Sequence, residues 1–277
     1  AEILPRCVDG SWIGGMCMSE ASAGTDVMGM STTAVETDRG FVLTGRKMWI
    51  TNASHADVLL VYAKVEGRIT LFVVETSAPG VSIGRVVDGK CGMRSSPTAE
   101  VVFDDCLVDK TRVVGDVGQG AIPMMRNLEI ERLVLAAMSV GIARRCIDVA
   151  RAYAADRRAF GKPIAAFGQI QRHLAESYAE CAAANALLYH VCSNSNRLDS
   201  DAVKLVAAKM ATTVADRAIQ ILGANGYVAD SHVERLWRDA KLLEIGGGTL
   251  ESHQKNITND LIKHHATSPY LDFPAPL

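Results

Sequence analysis

The hydrophobic period of this chain changes partway along, and that change constrains the fold more than any single motif. Before Gly118-Gln119-Gly120 the apolar residues come in short runs broken by Gly, Pro and Asp. One spans 41–50 after the turn signal Asp38-Arg39-Gly40, and 58–65 is β-branched and aromatic. The run 70–74 closes on Ala78-Pro79-Gly80, and 99–103 and 106–108 complete the series. Runs of this kind predict an antiparallel barrel or sandwich. After Gly120 the pattern is helical over 121–156, 168–193, 201–222, 233–243 and 250–263. In the second segment Ile170, Leu174, Tyr178, Cys181 and Ala184 make a wide apolar stripe, rich in alanine and suited to close helix packing. The expected architecture is α+β: a small antiparallel β-barrel or sandwich domain over 1–118, then a C-terminal bundle of four to five helices over 119–277.

Charge and cysteine usage narrow the function classes. The net charge of −2 gives no global electrostatic case for nucleic acid or an acidic membrane surface. The longest apolar candidate, 133–143, ends at Arg144 and is shorter than the ~18 residues of a membrane helix, so no membrane insertion is expected. Seven cysteines are scattered without a CxxC, and the histidines are dispersed apart from His264-His265. No metal site is expected, and the cysteines read as reduced, in a cytosolic or matrix compartment. No secretory leader is visible, so the chain reads as not secreted. It opens Ala1-Glu2-Ile3 without an initiator Met and reads as processed or truncated. A Walker loop and a strand–GxGxxG–helix fingerprint are both absent.

Six segments could carry chemistry, and each also has a plain structural reading. Met16-Cys17-Met18-Ser19-Glu20-Ala21-Ser22-Ala23-Gly24-Thr25-Asp26 is a strand entering a small-residue loop; its backbone N–H groups could approach a phosphate or flat ring, or it is an ordinary turn. Trp49 and Thr51, two apart on a strand, share a face that suits a planar heteroaromatic; alternatively Trp49 is core. Glu131-Arg132 opens a nearly uninterrupted apolar helical stretch. A buried carboxylate there could act on a carbon acid, or the acids simply favour a helix start. Glu129 and Glu131, two apart, point to different faces. Arg157, in a basic loop ending Phe160-Gly161-Lys162-Pro163, could hold a pyrophosphate or be a solvated turn. Gln220-Ile221-Leu222-Gly223-Ala224-Asn225-Gly226 predicts a helix C-cap at Gly223 and a tight turn at Asn225-Gly226. Gly246-Gly247-Gly248-Thr249 before a helix lets backbone N–H groups reach an anion.

In this order and spacing, the six segments resemble the acyl-CoA dehydrogenase family, flavoenzymes that desaturate acyl-CoA thioesters at Cα–Cβ. Gly92-Met93-Arg94-Ser95 and Phe103-Asp104-Asp105 add to the resemblance, which covers residues 1–264. It implies FAD as cofactor, with Met16, Met18, Ser19, Thr25, Trp49 and Thr51 along the flavin. Arg157, Phe160, Gln220 and Ala224 would contact the FAD of a neighbouring subunit, and Thr249 its phosphates. A homo-oligomer, usually a dimer of dimers, follows from that sharing. Most of the family keeps a catalytic Glu just before the Gly-Thr of the last motif; here that position is Gly247, with Gly246 before it. The isovaleryl and long-chain branches place the base where this chain has Glu131.

The resemblance therefore implies that Glu131 takes the α-proton while the β-hydride passes to the flavin. Electrons then go to an electron-transferring flavoprotein. Thr25, Glu129, Arg132, Gly246 and Gly247 are the expected substrate-side residues, with Arg132 also positioning its helix. A short branched acyl-CoA of isovaleryl type is the expected substrate, with other acyl-CoAs and a non-catalytic subunit as alternatives. The compartment would be cytoplasmic in a bacterium and the mitochondrial matrix in a eukaryote. The family's N-terminal helical domain is not in this sequence. Gly168-Gln169 and Asp109 depart from the family's usual Gln and Pro.

Overall fold

The computed structural model describes residues 2–193 and 195–263; the His264-His265 pair lies outside them. The chain forms two compact units. One takes the chain up to Lys90 together with Arg94–Arg126; the other takes Cys91–Met93 and the chain from Asn127 onward.

The first unit holds helix α1 (Ile3–Val8) and strands β1 (Gly14–Cys17), β2 (Thr33–Thr37), β3 (Gly40–Thr51), β4 (Val58–Val65), β5 (Arg68–Glu75), β6 (Val81–Val86), β7 (Thr98–Val108) and β8 (Val113–Val114). They form one sheet in the order β6-β7-β3-β2-β4-β5-β8, with β1 also on β4. Most pairings are antiparallel, but the sheet is mixed. One edge of β4 is shared: β1 runs parallel along Val58 to Val61, and Thr33 of β2 meets Lys64 in parallel. Such pairing needs a long crossover, which β2 and β3 supply. Phe41 of β3 and Phe72 of β5 meet edge-on at 5.3 Å, although β2 and β4 lie between their strands. A flat sheet, at about 4.8 Å per strand, would hold them far apart. The sheet therefore curls around a core containing Leu43, Ile50, Leu59, Val61 and Phe103. The glycine signal that ends the β pattern has a physical cause. Gly118 N donates to Thr70 Oγ1 at 2.8 Å, and a Cβ on Gly120 would stand 2.8 Å from the Thr70 carbonyl carbon.

The remaining elements are α2 (Ala121–Asp156), the hairpin of β9 (Arg158–Ala159) and β10 (Lys162–Pro163), α3 (Gly168–Cys192), α4 (Arg197–Leu222), α5 (Ala224–Tyr227), α6 (Val233–Leu243) and α7 (Leu250–Lys263). The second unit's core is built from small side chains: Ala143, Cys146 and Ala150 of α2, Ala184 of α3, Ala207 and Ala215 of α4. Helix α4 starts four residues before the expected 201, because the Asn196 side chain accepts from Asp199 N and caps it. It ends at Gly223 with φ +59, the expected glycine C-cap. The turn expected at Asn225-Gly226 is instead the single helical turn α5. Gly226 is needed there, since a Cβ would meet the Ile219 carbonyl oxygen at 2.6 Å.

Candidate active site

Glu131 sits well inside α2, so it is not a helix-start acid. Its Oε2 is buried, with no hydrogen-bond partner among the described residues. Burial raises its pKa above the ordinary 4.5, against the pull of Lys204 and then Arg132. Beside it runs the turn between α6 and α7. Gly247 has φ +67, and a Cβ there would lie 3.5 Å from Glu131 Oε1 and inside the Leu135 side chain. A side chain at 247 is excluded by both space and backbone. The result is a desolvated carboxylate with an unused oxygen, next to backbone that carries no side chain. That is the arrangement a general base needs.

Charged groups surround this pair. Arg132 Nη1 meets Asp201 Oδ2 of α4 at 3.2 Å. Asp201 also accepts from His253 Nδ1 and, at 3.3 Å, from Asn256 Nδ2, both on α7. His253 Nε2 lies 3.0 Å from the Gly248 carbonyl. Lys204, fully buried on α4, donates to the carbonyls of Leu243, Gly246 (3.0 Å) and Gly248 (3.4 Å). Glu129, two residues before Glu131, is half-buried, and a Cβ on Gly246 would meet only ordinary contacts with Leu242, the nearest at 3.5 Å.

The β9–β10 hairpin and the end of α4 frame a cavity of about 410 Å³, lined by Arg157, Phe160, Phe167, Leu222 and Ala224 among others. Phe160 is 95% exposed and holds φ +49, edge-on to Phe167 at 6.0 Å. Among the described residues no carboxylate pairs with Arg157. Gln220 is exposed on the last turn of α4. Thr249 instead serves the start of α7, where its Oγ1 accepts from Ser252 N at 3.2 Å.

In the first unit, Met16, Met18 and Ser19 are half-buried and Thr25 is exposed. The loop carrying them is held by Glu20, which accepts from Ser31 N (2.7 Å), Ser31 Oγ (2.6 Å), Thr32 N (3.0 Å) and Thr32 Oγ1 (2.6 Å). Lys47 Nζ completes the set at 3.0 Å and also donates to Met18 O at 3.1 Å. Burial would raise the Glu20 pKa, but the Ser31 and Thr32 hydrogen bonds outweigh it and hold it at about 2. Trp49 is 57% exposed, not core, and has φ +66 at a bulge between Lys47 and Ile50. Trp49 and Thr51 are both exposed while Met48 and Ile50 are buried, so the two share a face, as their spacing predicts.

Sequence reasoning passed over Glu20, Lys47, Asp201, Lys204 and His253. The available signals were a lysine at an inward strand position and two charges, three apart, on an Ala-rich helix.

These features define a class, and comparison with known proteins identifies it. The family model for the acyl-CoA dehydrogenase middle domain matches residues 15–106, and that for the C-terminal domain matches 118–262. The chain belongs to the acyl-CoA dehydrogenase family. Mitochondrial isovaleryl-CoA dehydrogenase of Oryza sativa is 43% identical over 94% of this chain and 66% of its own length. Mitochondrial 2-methylacyl-CoA dehydrogenase of Solanum tuberosum is 42% identical, with the same two coverages. The structure of butyryl-CoA dehydrogenase from Megasphaera elsdenii aligns with a TM-score of 0.91 at 34% identity, over 94% of this chain and 71% of that one. The chain thus spans slightly less than two thirds of the curated relatives it matches first.

Proposed function

We propose that this chain carries out FAD-dependent α,β-dehydrogenation of a short branched acyl-CoA, with Glu131 as the base. The observation that carries the reading is the buried, unpartnered Glu131 oxygen beside the side-chain-free Gly247. Two further features support a flavin dinucleotide. Trp49 and Phe160 are large aromatics kept exposed at positive φ, which costs energy their own packing does not return. Arg157, free of carboxylates among the described residues, suits a pyrophosphate. Met16, Met18, Ser19, Thr25, Trp49 and Thr51 would line the flavin; Arg157, Phe160, Gln220 and Ala224 would contact the FAD of a neighbouring copy of the chain, and Thr249 the FAD phosphates. FAD, when bound, accepts the β-hydride and passes two electrons to an electron-transferring flavoprotein.

The residues of the chain do the rest. Glu131 takes the α-proton as the β-hydride departs, and loss of both gives the enoyl thioester. A carboxylate is too weak a base for this in water; burial of Glu131 raises its basicity, and exclusion of water strengthens each polar contact to the thioester. Gly246, where a Cβ would meet nothing nearer than 3.5 Å, keeps the turn slim beside the reacting carbons, while Gly247 lets the backbone itself lie against Leu135 and Glu131; Thr25, Glu129 and Arg132 would bound the substrate. The names of the relatives support both a 3-methyl and a 2-methyl acyl group. By the same relationship the compartment would be the mitochondrial matrix in a eukaryote and the cytoplasm in a bacterium.

The test is an acyl-CoA panel with an artificial electron acceptor, run on the wild type and Glu131→Gln. Isovaleryl-CoA or 2-methylbutyryl-CoA should be turned over best. The substitution should reduce kcat by about 10²–10⁴-fold, the range for a lost general base. Full activity in Glu131→Gln, or no turnover of any acyl-CoA by flavin-loaded wild type, overturns the proposal.

A further inference from the structure

One buried cation in the second unit has no role in the reaction as described above. Lys204 is fully buried on α4, between hydrophobic neighbours Val203 and Ala207, where an ammonium is costly unless it has a task. Its three donors go to the carbonyls of Leu243, Gly246 and Gly248. Those carbonyls bracket Gly247, the residue set against the Glu131 carboxylate. A second set of bonds holds the same turn from α7: His253 reaches the Gly248 carbonyl with Nε2 and Asp201 with Nδ1. Both ring nitrogens face oxygen atoms, so the ring is tied at both edges. Asp201 ties this to Arg132, the neighbour of Glu131. Glu131 itself has one oxygen that accepts from nothing among the described residues.

We propose that Lys204 is a positioning residue for Glu131: it fixes the Gly246–Gly248 backbone against the carboxylate and supplies the buried cation of α4 that favours its ionised form. This rests on the base assignment made above. The charged groups facing the pair are Arg132 on α2, Asp201 on α4, His253 on α7 and Glu244 in the turn. Arg132 is engaged by Asp201 and its pull on Glu131 comes second, so the Lys204 ammonium is the leading cation acting on Glu131. Its own pKa is lowered to about 8 by burial, with Glu131 the foremost group holding it up. The coupling therefore runs both ways, as linkage requires.

Carboxyl and lysine titrations followed by NMR on the whole chain, assigned with Glu131→Gln and Lys204→Met, test this without relying on turnover. Lys204→Met should raise the Glu131 midpoint by about one pH unit, the lower end of the effect of a nearby opposite charge. Lys204→Gln keeps donors for the carbonyls but no charge, and should shift the midpoint similarly. If both lysine variants fail to fold, the isosteric Glu131→Gln still decides: it should lower the Lys204 midpoint below about 8. Unchanged midpoints overturn the proposal. In the acyl-CoA assay, the acid limb of kcat/KM should move with the Glu131 midpoint in Lys204→Gln while KM stays within about twofold. An acid limb that stays in place while the NMR midpoint moves overturns the base assignment and leaves the coupling standing.

Discussion

At the scale of single residues, two adjacent glycines have opposite tolerances. A Cβ at Gly247 would enter the Leu135 side chain and sit on a backbone with φ +67; a Cβ at Gly246 would meet only ordinary contacts, the nearest at 3.5 Å. Gly247→Ala should therefore destabilise the chain by about 1–3 kcal/mol in urea unfolding, from overpacking and left-handed strain. It should also lower kcat by displacing the Glu131 carboxylate. Gly246→Ala should stay within about 1 kcal/mol of wild type. Equal costs at the two positions would show that Leu135 yields readily. The raised Glu131 pKa sets a second expectation. The base must be ionised to accept a proton, so kcat/KM should be lost as pH falls through a midpoint above 4.5. Glu131 and the glycines stand out in the sequence because the resemblance implies a base at one of two spots, and this chain has glycine at one and Glu131 at the other. Asp201, Lys204 and His253 were not. A sequence displays a charge but not its partner, and His253 meets Asp201 from 52 residues away.

Elements show the same limit in another form. The strand containing Val58 was readable to the residue because its run is apolar on both faces. β2 and β6 were missed because they are short and mostly exposed, with Glu, Ser and Arg along them. β7 reads as two runs because Asp104-Asp105 interrupts it, yet the strand continues past them through a register shift, with Asp105 at φ +48. The loop after β1 reads from sequence as either a ligand-approaching loop or an ordinary turn, and nothing in that reading shows that its shape is set by Glu20 and Lys47, 3% and 0% exposed. Removing one member strands the other, so Glu20→Gln should cost about 3–5 kcal/mol, and Glu20→Leu with Lys47→Met together should cost less than either alone. The sign with pH follows from the depressed pKa. The contribution of Glu20 is complete above its ordinary 4.5 and is lost as pH falls towards about 2. Acid unfolding of Glu20→Gln should begin at the same pH as wild type only if the carboxylate is not ionised in the fold.

At the scale of the whole molecule, each unit has a core of its own, yet one feature makes little sense within a single chain. Phe160 presents a ring that is 95% exposed, on a residue with φ +49, beside a cavity of about 410 Å³. A phenylalanine so exposed gains little from burial, and positive φ is uncommon for a bulky residue. The proposed contact of its motif with FAD held by a neighbouring copy would give that return on assembly. Phe160→Ala should then leave the melting temperature of the flavin-free chain nearly unchanged, within the ~0.5 kcal/mol of an ordinary surface substitution. The same change should weaken flavin retention on gel filtration. It should also shift the flavin-loaded protein towards smaller species in sedimentation velocity. Arg157→Lys should weaken retention as well, since an ammonium cannot grip a pyrophosphate with two parallel bonds. If Phe160→Ala instead destabilises the flavin-free chain and leaves retention intact, Phe160 belongs to the fold of one subunit, and the shared-cofactor reading of this surface is wrong.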